Sequence, residues 1–222
     1  MNTIERNSLQ DVLKAKKEAW ETDASSDQKA MATENIEAII NTHFEENAIN
    51  LGDKAIDFTL KNALGNCTNL ETNLKEEPVI LTWYRGGWCP YCNITLQFLQ
   101  NSLPEFKKHG ASLLALTPEL PDKSLSTKEK HHLEFQVLSD VGNKVAKKYG
   151  LVYKLTDALA EAYKNGLGLH NYNGDDSSEL PITATYVIDK NGIVKYAFLD
   201  ADYRNRANIS EIVEVLKTLQ TK

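Results

Sequence analysis

Two of the chain's three cysteines, Cys89 and Cys92, flank Pro90 and Tyr91 in the segment TWYRGGWCPYCNITL, Thr82 to Leu96. That spacing suits a dithiol that opens and closes. A thiol is a poor nucleophile until ionised, and its ordinary pKa of about 8.5 falls when unpaired amides at a helix N-terminus favour the thiolate. Residues three apart on a helix share a face, so the two sulfurs can close a disulfide within one turn. Structural zinc would need two more ligands, yet the only other cysteine is Cys67 and no histidine lies near the motif. Two inert buried thiols are the plainer alternative. The setting of the motif, a strand before it, a helix after it and a proline inside it, favours redox chemistry.

The flanking residues supply that setting. Pro78 to Tyr84 (PVILTWY) is short, almost wholly apolar and rich in β-branched and aromatic residues, which predicts a strand buried on both faces. Gly86 and Gly87 end it. Ile94, Leu96, Phe98, Leu99 and Leu103 then form a helical stripe, with Pro90 suited to the first helical position and Cys89 to the N-cap. Beyond residue 50 strands and helices alternate, predicting a layered α/β domain. The expected strands are Ile56–Lys61 with Asn66–Leu70 as a hairpin around Gly65, Pro78–Tyr84, Ala111–Thr117, Phe135–Leu138, and Thr183–Ile188 with Ile193–Leu199 as a second hairpin. Helices are expected over Pro90–His109, Pro121–His131, Asn143–Tyr149, Thr156–Asn165 and Ile209–Leu219. Gly166 to Leu180, rich in Gly, Asn, Asp and Ser, reads as a long surface loop bordering the site.

Residues from about 5 to 47 read as two helices with apolar faces Leu9, Val12, Leu13, Trp20 and Ile36, Ile39, Ile40, Phe44. Asp23–Asp27 (DASSD) supplies the break and an N-cap. The chain thus divides into a helical extension, 1–50, and an α/β domain, 51–222. The apolar stripe of the extension has to be buried on that domain or in a homodimer. With 222 residues, 41% of them hydrophobic, the chain is long enough for a substantial core. A net charge of −6 argues against a nucleic-acid surface. No long apolar run predicts a membrane span, the first residues do not read as a signal peptide, and three cysteines do not make a secreted disulfide framework, so a cytoplasmic location is expected.

GDKAIDFTL (Gly52–Leu60), TYVIDKNGIV (Thr185–Val194), WYRGGWCPYC, LSDVGNKVAKKYGL and DADYRNR together resemble the peroxiredoxins, the alkyl hydroperoxide reductase and thiol-specific antioxidant branch of the thioredoxin superfamily. More closely, the chain is similar to a bacterial group called peroxiredoxin-like proteins. The resemblance implies a thioredoxin-like fold, a central mixed sheet flanked by helices. The family's site reads proline, three residues, threonine, two residues, cysteine. Aligning the strand ends puts Cys92 on the attacking cysteine, Cys89 on the threonine and Arg85 on the proline. Cys-Pro-Tyr-Cys is also the sequence found in glutaredoxins. The family's arginine near the late hairpin is replaced at the corresponding position by Thr183, where thioredoxin-like reductases carry a cis proline; Pro181 lies two residues earlier.

Cys92, Cys89 and Arg85 are therefore the candidate catalytic residues, with Trp88, Pro90, Tyr91, Tyr84 and Thr183 lining the site. Arg85 is the leading cation for holding a thiolate and polarising a peroxide. Arg204 and Arg206 are second choices, since a charged loop capping the last helix is the simpler reading of ADYRNR. Trp88 suits a docking platform or core packing, and Tyr91 the tuning of potential and access. Cys67 reads as a small apolar core residue rather than a resolving thiol. The leading expectation is a thiol peroxidase without prosthetic cofactor or metal, reducing hydrogen peroxide or organic hydroperoxides and recycled by thioredoxin, glutaredoxin or glutathione. The alternatives are a general disulfide reductase in which Cys89 attacks first, and a non-enzymatic redox sensor.

Overall fold

The computed structural model describes residues 8–220. Its centre is a five-stranded mixed sheet in the order β5 (Gln136–Ser139), β4 (Ser112–Thr117), β3 (Val79–Trp83), β8 (Thr185–Ile188), β9 (Val194–Phe198). Three strands, β3, β4 and β5, run parallel. The remaining two, β8 and β9, form an antiparallel hairpin added to the other side of β3. Because side chains alternate across a strand, the apolar run of β3 feeds two cores. Val79, Leu81 and Trp83 enter one, while Ile80 and the following Tyr84 enter the other, together with Cys89 and Cys92.

Two helices cover the face that holds the cysteines: α4 (Pro90–Lys108) and α9 (Ile209–Gln220). Helix α4 buries Tyr91, Cys92, Thr95, Leu96, Leu99, Leu103 and Phe106 along one stripe, and Lys107 and Lys108 complement the helix dipole at its end. The N-terminal helices α1 (Leu9–Asp23) and α2 (Ser26–Ile40) each start with a capping box, Ser8 with Asp11 and Ser25 with Gln28. Ser25 thus supplies the cap expected from DASSD. Helix α1 packs on α4, burying Leu9 and Leu13 in the core of the two cysteines. Helix α2 packs on α7 (Asp157–Ala162), and Ile39 joins the opposite core with Phe44 from the short turn that follows. The expected start of the first helix near residue 5 lies outside the described residues.

Several expectations are corrected. Ile40 is 55% exposed, because α2 turns only a narrow stripe inward. The first hairpin is shorter than expected, β1 (Thr59–Lys61) with β2 (Cys67–Asn69), and it is a two-stranded ribbon outside the main sheet. Its outer face is uncovered, so Cys67 is exposed rather than a core residue. Gly166–Leu180 is not an unbroken loop: it contains α8 (Leu169–Asn173) and the start of β7 (Glu179–Pro181), which pairs with β6 (Val152–Lys154). The expected helix over 156–165 is α7 followed by a π-helical turn, Tyr163–Leu167. The remaining helices, α3 (Leu70–Glu76), α5 (Pro121–Lys130) and α6 (Lys144–Lys148), complete the layers.

Candidate functional site

Strand β3 and helix α4 meet in the turn Tyr84–Cys89, which is pinned from several sides. The Tyr84 amide donates to Leu116 O at 2.9 Å, the Gly87 amide to Glu119 Oε1 at 3.0 Å, the Cys89 amide to Gly86 O at 3.1 Å, and Asn93 Nδ2 to Gly87 O at 2.8 Å. Gly86 has φ 150°, and a Cβ there would collide with the Trp88 indole, so only glycine fits. Cys89 is the N-cap of α4 and Pro90 its first residue, as the sequence predicts. Cys92 follows in the first turn.

Both cysteines are free thiols, each 1% exposed, and Pro90 between them is exposed. Arg85 is buried beside them. Its guanidinium carbon lies 4.0 Å from the ring centre of Tyr203, 4.8 Å from that of Trp88 and 5.6 Å from that of Tyr163, and Nη2 donates to the Tyr163 hydroxyl at 3.0 Å. Three aromatic rings therefore cage one cation. A desolvated guanidinium over a ring gains about 2 kcal/mol or more, which offsets part of the cost of burying it. The second cation is Arg206, whose Nη2 donates to Cys92 Sγ at 3.3 Å while Nη1 is held by the carbonyls of Tyr203 and Asn205. The loop reading of ADYRNR is thus corrected at one position: Arg206 reaches the sulfur. Arg204 turns away, to Asp202 and Glu21.

The two thiols are pushed in opposite directions. Burial alone would raise the Cys89 pKa, but the adjacent Cys92 thiol, the Arg85 and Arg206 guanidiniums and the Cys92 amide outweigh it and bring it down to about 5. Cys92 is held well above the usual thiol range by burial and by the charge on Cys89. The strand-end alignment implies that Cys92 attacks, whereas of the two thiols it is Cys89 whose pKa is lowered, which favours the opposite order. Cys89 sits at the N-cap of α4, where the helix amides favour a thiolate, and the guanidinium of Arg206 bonds the neighbouring Cys92 sulfur.

The lining residues divide. Tyr84 and Tyr91 are buried, the Tyr84 hydroxyl beside Glu119 and Thr117, and Tyr91 meets the Tyr203 ring edge-on at 5.8 Å. Trp88 is half-buried and forms a wall of the Arg85 cage. Thr183 is buried beside the end of β3, where the Trp83 amide bonds Ala184 O at 2.9 Å, and its hydroxyl has no hydrogen-bond partner. The bond before Pro181 is trans, and Pro181 lies in the β6–β7 ladder. Sequence reasoning missed Tyr163, Tyr203 and Glu119. Glu119 is fully buried after β4, and burial pushes its carboxyl up to about 7 despite the Gly87 amide. Among the described residues no group of three His, Cys, Asp or Glu side chains is placed to hold a metal.

The fold and site have relatives. The chain is 27% identical over 182 residues to the chloroplastic peroxiredoxin Q of Populus jackii, covering 82% of this chain and 74% of that one. It is 28% identical over 171 residues to the chloroplastic peroxiredoxin Q of Oryza sativa subsp. japonica, covering 77% and 68%. The crystal structure of peroxidoxin BcpB from Mycobacterium tuberculosis superposes with a TM-score of 0.61 at 20% identity, covering 77% of this chain and 98% of that one. The model of the AhpC/TSA family matches residues 51–197, a span running from the residues before β1 through the cysteine turn into β9, and on this match the chain belongs to the AhpC/TSA family.

Proposed function

We propose that the protein is a thiol peroxidase in which Cys89 attacks and Cys92 resolves. The observation that carries this is the pair of buried thiols at the N-terminus of α4 beside two buried guanidiniums, with Arg206 donating to Cys92 Sγ at 3.3 Å and the Cys89 thiol pKa brought down to about 5. The Cys89 thiolate displaces the leaving oxygen of a hydroperoxide, giving a sulfenic acid and an alkoxide or hydroxide that takes a proton and leaves as alcohol or water. Guanidinium donors from Arg85 and Arg206 favour that departing negative charge. The Cys92 thiol then attacks the Cys89 sulfur, its proton leaves with the hydroxyl as water, and a disulfide remains. A dithiol donor such as thioredoxin or glutaredoxin, or two glutathiones, returns two electrons and two protons.

Burial of both sulfurs favours a small hydroperoxide over a protein disulfide as the substrate, because only a small ligand reaches them with little opening. The exposed Pro90 and half-buried Trp88 offer the surface where the reductant docks. The need for such a donor suits a thiol-reducing compartment, and we place the protein in the cytoplasm on that ground. The same attack order also suits a general disulfide reductase. Turnover with hydrogen peroxide, an organic hydroperoxide and an insulin-type disulfide, each with thioredoxin as donor, separates the two. The proposal expects repeated consumption of a hydroperoxide at a rate well above that for the disulfide, and the reverse ranking, or a single oxidation without turnover, would overturn it.

A further inference from the structure

Arg206 reaches Cys92 from a loop 114 residues away in sequence, and something has to hold that loop. The holding contacts come from the first helix. Gln10 Nε2 donates to Arg206 O and to Ala207 O, both at 3.3 Å. One turn pair further along α1, Lys17 Nζ meets Asp202 Oδ2 at 3.1 Å. Near its end, Glu21 Oε1 takes Arg204 Nη1 at 3.2 Å, and the Arg204 guanidinium lies 5.6 Å from the Trp20 ring centre. Within the loop Arg204 bonds both Asp202 oxygens, Nε to Oδ1 at 2.7 Å and Nη2 to Oδ2 at 2.9 Å, so Asp202 joins Lys17 to Arg204 in one network.

The loop contacts the site at two places. Arg206 donates to the Cys92 sulfur, and the Tyr203 ring covers Arg85 at 4.0 Å. Its backbone also folds around the Arg206 guanidinium through the carbonyls of Tyr203 and Asn205. Between α1 and the loop runs a groove of about 520 Å3, lined by Gln10, Leu13, Lys17 and Arg206 among others. The loop is anchored in the cores by Ala201, Tyr203 and Ala207, and between those anchors it is gripped by discrete polar contacts from α1. The register of Asp202, Arg204 and Arg206 within it follows those polar contacts.

We propose that helix α1 is a positioning element of the thiol site: Gln10, Lys17 and Glu21 hold the Asp200–Ala207 loop so that Arg206 stays on the Cys92 sulfur and Tyr203 on Arg85. The inference rests on the peroxidase reading only through the identity of the reacting thiols. It gives the N-terminal segment a role beyond covering the core, and none of its three gripping residues touches a sulfur.

The test measures thiol ionisation and leaves turnover out, so it stands or falls separately from the substrate. In the full chain, Gln10→Leu with Lys17→Glu removes the amide donors and repels Asp202. The pH midpoint of Cys89 alkylation by iodoacetamide should rise by about one unit, while Lys17→Arg keeps the wild-type midpoint. Adding the double change to Arg206→Gln should give a smaller rise than it gives in the wild type, because only the Tyr203–Arg85 contact is then left for it to disturb. Should the double variant melt below the assay temperature, Glu21→Gln replaces it with a smaller rise expected in the same direction. A midpoint unchanged in the folded α1 variants while Arg206→Gln moves it would overturn the inference and leave α1 a covering helix.

Discussion

Replacing Arg206 by glutamine should raise the pKa of the attacking thiol, and the size of the rise can be worked from the contact. Nη2 stands 3.3 Å from Cys92 Sγ, inside the pair of sulfurs that share one negative charge. Coulomb attraction at that distance is about 5 kcal/mol with an effective dielectric constant near 20, an upper figure because the charge resides chiefly on Cys89. Hydrogen bonds to charged groups contribute about 1.5–3 kcal/mol net, which at 1.36 kcal/mol per unit is a shift of about one to two units. Starting from about 5, the Cys89 midpoint should therefore move to between about 6 and 7. At pH 7 the thiolate fraction falls by only about twofold at most, whereas at pH 6 it falls by up to about tenfold, so a single-pH rate would miss the effect. Alkylation rates followed between about pH 4 and 9, with the thiolate absorbance as a second readout, give the midpoint directly. Arg206→Lys should shift it less, since the charge remains and the fork that also binds the Tyr203 and Asn205 carbonyls is lost. An unchanged midpoint in a folded Arg206→Gln protein would refute the claim that this guanidinium stabilises the thiolate.

Other consequences follow from the same groups. Glu119 titrates at about 7 when folded against an ordinary 4.5, so its contribution to stability is full below about 4.5 and is lost as pH rises through 7; Glu119→Gln should remove that decline in thermal melts across the window. Cys89 has the opposite sign, with its folded pKa of about 5 below the ordinary 9.0, so its contribution is full above 9 and is lost as pH falls through 5; the melting temperature of the reduced protein relative to Cys89→Ser should rise across that range. Cys67, exposed on the β1–β2 ribbon, should be alkylated in the folded protein before and after one equivalent of peroxide, and peptide mapping should find Cys89 joined to Cys92; a disulfide through Cys67 would contradict the pairing. Tyr163→Phe removes the acceptor of Arg85 Nη2 and should slow peroxide reduction by a few-fold without loss of fold, about 1 kcal/mol in the barrier; a rate equal to wild type would show that the cage does not orient Arg85.

What the sequence made legible was local. The cysteine turn is specified by neighbours: a strand of alternating faces, a glycine at φ 150°, a proline at the first helical position, and Arg85 four residues before the N-cap. Apolar periodicity likewise marked α1 and α2, and DASSD the cap of α2, whereas the Ser8 cap of α1 was not read. Contacts fixed by tertiary packing were not legible. Arg206 sits in a run that reads as a solvated loop until α1 folds over it, and Tyr163 lies in a π-helical turn whose sequence, YKNGL, carries no period. Glu119 follows a buried strand where a carboxylate is ordinarily excluded, and only the Gly87 amide in space reveals its partner. Elements of three residues, β6 and β7 among them, are too short for alternation to register, which is why Gly166–Leu180 read as one loop. Cys67 misled because alternation marks a strand without saying whether anything covers its face.

The order of attack is the centre of the account, and trapping the sulfenic acid tests it most directly. Cys92→Ser, treated with one equivalent of peroxide and a dimedone-type reagent, should carry the adduct on Cys89 and consume that equivalent, whereas Cys89→Ser should react slowly because burial, the largest cause of the raised Cys92 pKa, remains when Cys89 is gone. Rapid peroxide reduction by Cys89→Ser, with the adduct on Cys92, would contradict the account and restore the order that the strand-end alignment implies.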